Sequence, residues 1–385
     1  MYRTVLPVFF LCLLVLPAGC NGSGGVSTGD AVSHEVDVVL SGLAHPWGIA
    51  FLPGQGNLAL VTERPGRLNL VDIGRGERRE IAGLPEIAAT GQGGLLDVAL
   101  HPDFGDNRFV YISYSAAGEI PNRYATHVSR GRLDIDEGRL SEVEVLIVAE
   151  PFAGTNAHFG SRLVFDRENR LYITSGDRRR RDSAQDLASL HGKTLRIADD
   201  GSIPEDNPFA GSEDAHPAIF SFGHRNAQGM AIHPETGRIW QNEHGESGGD
   251  EINILVAGGN FGWPIATYGR EYSDGSSIGV LPPEHAGTID PVHHWAPDAF
   301  PPSGMAFYRG EAFPGWRGDL FVGGLRERYL ARFEIDGSEL VLAERLLEDR
   351  GWRIRDVKEN PADGFLYVLV DAPNAPLARI RPASK

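Results

Sequence analysis

The stretch LLDVALHPDFGDNRFVYISY, residues 95–114, holds an apolar run, a turn rich in Pro, Asp and Gly, and a second apolar run. The same pattern returns five more times: WGIAFLPGQGNLALVTE from Trp47, SRLVFDRENRLYITSGD from Ser161, QGMAIHPETGRIWQNE from Gln228, SGMAFYRGEAFPGWRGDLFVGG from Ser303 and IRDVKENPADGFLYVLVD from Ile354. The runs are short and alternate with a period of two, which marks strands and excludes helices. The repeats are spaced irregularly, by roughly 50 to 75 residues, enough for a blade of about four strands with variable loops. Six such units closed around an axis predict an all-β fold, a six-bladed β-propeller of four-stranded antiparallel blades, over residues 34–385. Closing the units radially leaves few free sheet edges.

Composition agrees with this reading. The 385 residues include 48 glycines and 25 prolines, a density of turn formers that suits many short strands, and the 41% hydrophobic content is enough for a sizeable core. Arg and Lys (36) against Asp and Glu (52) leave a net charge of −16, which repels a phosphate backbone and sets nucleic acid aside. The two cysteines, Cys12 and Cys20, both lie in the first twenty residues, so neither disulfides nor thiolate metal sites are expected downstream. Residues 1–19, with Arg3 ahead of the apolar run Val5 to Leu16, read as an export signal. Cys20 after Pro17, Ala18 and Gly19 resembles a bacterial lipobox, so residues 20–33 are expected to be a lipidated flexible tether. The alternative is a plain secretory signal cleaved nearby. Either way the product is exported, to the periplasm or cell envelope.

Aligning the repeats with one another separates structural from functional residues. His101 and His233 both fall in the hairpin turn, where the other repeats carry Leu52, Arg167 or Asn360, so they read as turn residues. Unusual polar residues gather instead just before each first strand: Gln92 in GQGGLLD, His158 in NAHFGSR, Arg225 and Asn226 in GHRNAQG, Arg353 and Arg355 in GWRIRD. In a hairpin, the residue before strand one and the residue after strand two meet at the same end. Asp177, in ITSGD, should therefore lie near His158, and the His244, Gly245, Glu246 triplet near Arg225 and Asn226. These loop ends converge around the axis, predicting a cationic, histidine-containing funnel that suits an anionic ligand.

His158 with Asp177 fits a general base and the carboxylate that orients it, although a histidine in a glycine-rich loop also serves as an ordinary hydrogen-bonding residue. The arginines fit either carboxylate recognition or ion pairs between blades. The stretch EHGESGGDEINIL, with Glu251, offers the oxygen-rich turns that calcium prefers, or is a solvated acidic loop. The run DRRRRD, residues 177–182, reads as a solvated loop.

Taken in order, HFGSRLVF, ITSGD, GSIPEDNPF, FGHRNAQGM, EHGESGGDEINIL and GGNFGWP resemble the soluble aldose sugar dehydrogenases that use pyrroloquinoline quinone (PQQ), relatives of the soluble quinoprotein glucose dehydrogenase. The resemblance covers nearly all of the chain after the tether. It implies a six-bladed propeller that oxidises the C1 hydroxyl of an aldose to a lactone, with PQQ and Ca2+ at the axis and an external electron acceptor. By the same resemblance His158 is the catalytic base, Asp177 its partner, and Arg225 with Asn226 the pair that touches the quinone oxygens and substrate. Gln92, Arg353 and Arg355 contact the cofactor, Thr267 and Tyr272 line its pocket, and Arg326 stands where the glucose enzyme has a lysine. The carbonyls of Gly245 and Glu246 hold the cofactor's calcium, and Glu251 with the Phe261 carbonyl holds a second one. Two other departures are Phe159 in place of a polar neighbour of the base and Glu246 in place of a proline. The competing readings are a calcium-dependent, lactonase-like propeller hydrolase and a non-enzymatic propeller that binds glycans or proteins.

Overall fold

Each of the six repeats builds one four-stranded antiparallel sheet in the computed structural model, which describes residues 32–384 apart from Ser338. The expected export signal, Cys20 and the expected tether up to residue 31 lie outside the described residues. The first strands of the blades are Pro46–Phe51, Leu95–Leu100, Leu163–Phe165, Ala227–Ile232, Pro302–Phe307 and Ile354–Glu359. Each packs against the first strands of the blades before and after it, and the sixth returns to the first, so these strands ring the axis. Equivalent residues occupy equivalent registers: Ile49 pairs with Val61, Val98 with Ile112, Leu163 with Ile173 and Met305 with Val322. The expected six-bladed propeller is thus the observed fold, and the helices among the described residues are single short turns such as Phe104–Asn107.

Period-two alternation gives each blade two apolar faces, and burying both requires a neighbour on each side. Six hydrophobic clusters fill the six seams. Leu60, Leu70, Val98 and Ile112 join the first two blades, and Val61, Val71, Tyr367 and Leu369 join the last to the first. The ring is closed by strand His34–Leu43, which pairs antiparallel with Ala375–Pro382 as the outer strand of the sixth blade. That closure was not foreseen, because HEVDVVLSGL lacks the hairpin partner that marks the repeats.

Hydroxyl and amide side chains stitch the second strand of one blade to the first strand of the next. Ser113 Oγ donates to the Ser161 carbonyl at 2.6 Å, Thr174 Oγ1 to Ala227 at 3.0 Å and Asn242 Nδ2 to Ser303 at 2.7 Å. Nearer the axis the fully buried Arg162 gathers four blades. Its Nη1 lies 3.0 Å from Asp97 and 3.2 Å from Asp356, its Nε donates to the Gln228 carbonyl at 3.0 Å, and its guanidinium sits 4.2 Å from the Trp47 ring centroid. Gly48 and Gly304 leave room for the two carboxylates, since a Cβ at either would collide with Asp97 or Asp356.

Candidate functional site

The loops before first strands and after second strands emerge on one face and enclose a cavity of about 630 Å³. His158 lies on its wall, in a loop where His158, Gly160 and Ser161 all take left-handed backbone conformations (φ 54°, 63° and 91°). A side chain at Gly160 would strike the backbone of 174–176, so glycine is needed for the turn that aims His158. The His158 backbone N–H donates to Gln92 Oε1 at 2.8 Å, and the Gly160 N–H to Asn226 Oδ1 at 3.2 Å.

Asp177 follows strand Arg170–Ser175 and meets His158 as expected: the Nδ1–H donates to Asp177 Oδ1 at 2.7 Å. That bond fixes the tautomer and leaves Nε2 free to accept a proton. Asp177 is itself held by the Arg179 N–H on Oδ1 (2.8 Å) and by Trp263 Nε1–H on Oδ2 (2.9 Å). Arg178 and Arg179, at φ 55° and 56°, turn the chain back so that this amide points at the carboxylate. Burial opposes ionisation of Asp177, but the hydrogen bonds from His158 and the Arg179 amide and the charge of Arg225 outweigh it and hold the carboxyl below its ordinary value. Burial lowers the His158 pKa, Asp177 partly offsets this, and Arg225 lowers it again, so the ring is neutral at pH 7.

Arg225 also reaches its expected neighbours. Its Nη1 donates to the His244 carbonyl at 3.0 Å, and its Nε and Nη2 lie 2.8 and 2.6 Å from Glu246 Oε2. The guanidinium stands 5.4 Å from the Trp263 ring centroid, matched by Arg181 at 5.4 Å. Arg181 forks onto both oxygens of Glu271 and lies 3.3 Å from Glu246 Oε1. Gln92, Asn226, Gly245, Tyr272 and Arg326 complete the part of the wall that the sequence anticipated. His244 contributes no base: burial, with Arg355 and Arg225 nearby, depresses its pKa to about 3.

Other expected residues stand apart from this cavity. Arg353 and Arg355 are both engaged by Asp371 Oδ2 at 3.2 Å, and Arg355 also donates to Gln228 Oε1 at 2.6 Å. Thr267, Glu251 and Phe261 line a smaller cleft beside it with Glu243 and Gly245. There burial, reinforced by the charge of Glu243, pushes the Glu251 carboxyl well above its ordinary value. Among the described residues no group of three or more His, Cys, Asp and Glu side chains is arranged to hold a metal.

The run DRRRRD is the solvated loop expected of it only in part: Arg179, Arg180 and Asp182 are exposed, but its first two residues are not. Arg178 is buried, its guanidinium 3.4 Å from the Phe159 ring centroid and its pKa pushed down to about 9 by burial, while Arg179 and Arg181 line the cavity. The signal was available, since the run begins at Asp177, directly after a second strand. Trp263 was missed for a different reason. It lies in residues 255–292, a long excursion between the third and fourth strands of the fourth blade, which the hairpin repeat does not describe.

Comparison with known proteins agrees with this geometry. The family described as Glucose / Sorbosone dehydrogenase matches residues 43–379. Aldose sugar dehydrogenase YliI of Escherichia coli (strain K12) is 43% identical over 349 residues, covering 90% of this chain and 93% of that protein. Quinoprotein glucose dehydrogenase B of Acinetobacter calcoaceticus is 29% identical over 418 residues, covering 88% of this chain and 86% of that protein. The solved structure of the PQQ-bound form of aldose sugar dehydrogenase from Streptomyces coelicolor has a TM-score of 0.75 at 28% identity, over 91% of this chain and 98% of that one. With nearly the whole propeller matched, this chain belongs to the glucose / sorbosone dehydrogenase family and falls among its aldose sugar dehydrogenases.

Proposed function

We propose that this chain oxidises the C1 hydroxyl of aldoses to lactones with PQQ as the immediate electron acceptor, and passes the electrons to an external acceptor. The observation that carries the reading is the His158–Asp177 pair on the wall of an arginine-lined cavity. PQQ is a flat tricarboxylate, and a cavity of about 630 Å³ with Arg179, Arg181, Arg225 and Arg326 on its wall and the Trp263 ring beside it suits that shape and charge. When bound, PQQ with its calcium supplies the polarised carbonyl that takes the hydride from C1.

The chain's own residues supply the rest. His158 Nε2 takes the hydroxyl proton as the C1–O bond becomes a carbonyl, and ionised Asp177 stabilises the imidazolium that forms. Trp263 and the Arg179 amide keep the Asp177 carboxylate in line with the ring. Gln92 and Asn226 brace the His158 loop from two sides. We assign the cofactor's calcium to the carbonyls of Gly245 and Glu246, and a second calcium to Glu251 and the Phe261 carbonyl. Arg353 and Arg355 act on the cofactor as fixed positive charge, already paired with Asp371.

Dye reduction by the purified apoprotein with a panel of aldoses, with and without PQQ and calcium, tests the proposal. Turnover only when both are added supports it; no turnover and no PQQ retained through gel filtration overturns it. The proposal extends to export and to a lipid on Cys20, which a fatty-acid analogue should label in the wild type and not in Cys20→Ala.

A further inference from the structure

Four guanidinium groups line the cavity, yet they are not equally available to a ligand. Glu246 engages two of them, with Oε2 at 2.8 and 2.6 Å from Arg225 Nε and Nη2, and Oε1 at 3.3 Å from Arg181 Nη2. Its side chain is only 12% exposed and lies on the cavity wall, so the carboxylate sits inside the space a ligand would enter. Charge-assisted forks of this length are the contacts by which arginines recognise carboxylates. Arg179 and Arg326 are engaged differently: among the described residues Arg179 forms no ion pair, and Arg326 has only its exposed neighbour Glu327, at 3.7 Å.

We propose that Glu246 is a resident anion that pre-pairs Arg225 and Arg181 and competes with the negative groups of an incoming ligand. In the ligand-free chain it neutralises the buried Arg225 and draws in the partly exposed Arg181, which Glu271 also engages. When a polyanion enters, Glu246 must yield at least one fork or stand against a like charge at close range, and both lower affinity. Glu246 therefore weakens the binding of a flat tricarboxylate, while Arg179 and Arg326 provide its first anchors. The identity of the natural ligand rests on the quinoprotein reading above; the competition itself rests only on charge and position.

The test is calorimetric titration of the apoprotein, Glu246→Gln and Glu246→Ala at one fixed calcium concentration. Two probes are used: PQQ, and benzene-1,3,5-tricarboxylate, a flat trianion without redox chemistry. Removing one nearby charge should tighten both by about tenfold or more in each variant. Thermal unfolding of the same samples checks the fold, and the alanine variant keeps the comparison if the glutamine variant does not fold. Equal or weaker binding of both probes to folded variants overturns the proposal. Tighter binding of the tricarboxylate with no PQQ binding by any of the three proteins would leave the resident anion standing and defeat the quinoprotein reading. Binding of neither probe to any of them would defeat both.

Discussion

Arg162 and Arg225 are both buried arginines held by carboxylates, but they do different work. Arg162 has Asp97, Asp356 and the Gln228 carbonyl around it and the Trp47 ring against it, and it does not line the cavity that holds His158. Burial has already pushed the Asp97 carboxyl up despite Arg162. Arg225 is held by Glu246 and the His244 carbonyl, but it faces a cavity of about 630 Å³ that also contains His158. The first group spends its interactions on joining blades, and the second keeps them exchangeable. What separates structural from functional charge in this propeller is adjoining space, more than residue type or depth.

The sharpest way to break the comparison is at the cavity. His158→Ala should lower kcat by about 10²- to 10⁴-fold while PQQ binding persists, measured by dye reduction and titration. A near-normal rate would remove the cavity's claim to the chemistry. At the axis, Arg162→Met should cost about 3–5 kcal/mol in denaturant unfolding, because two buried carboxylates lose their cation. A cost near zero would mean that the Arg162 cluster is no structural keystone. Trp263→Phe removes one hydrogen bond from Asp177 and should cost about 1–3 kcal/mol in unfolding and show a further loss in kcat/KM beyond what the stability change explains. His101→Ala sharpens the contrast from the opposite end of a blade. Its Nδ1 accepts the Asp103 amide in the hairpin turn, so the variant should lose about 1–2 kcal/mol of stability and keep its turnover. The gentlest test is pH. His158 must be neutral to act as a base and its pKa is lowered from the ordinary 6.5, so kcat should stay flat through neutrality and fall on acidification with a midpoint below 6.5. A midpoint above 6.5 would mean that the Asp177 bond outweighs burial.

Much of this contrast was legible in the sequence, for a definite reason. A strand, turn, strand unit repeated six times fixes which end of each blade a residue occupies, so His101 and His233 sorted to the turns and His158, Asp177 and Arg225 to the funnel. The predicted meeting of Asp177 with His158, and of Arg225 with the 244–246 loop, follows from antiparallel pairing alone. The reading weakened where the repeat was silent. Trp263 lies in an excursion outside it, and the composition of residues 178–181 suggests a solvated run although their position directly after a second strand puts them at the cavity end of the blade.

By itself, the sequence determined the blade count, the end of the blade to which each polar residue belongs, and the family, because these depend on local periodicity and ordered motifs. Only the tertiary structure decided which of the converging charges face a cavity and which are spent on each other. Arg353 and Arg355 emerge from the same kind of loop as Arg225, yet Asp371 takes both, while Glu246 holds Arg225 at the cavity's edge. That partition depends on distances of a few ångströms between blades far apart in the chain, where a carboxylate's position sets the field an arginine feels. No pattern along one strand encodes it.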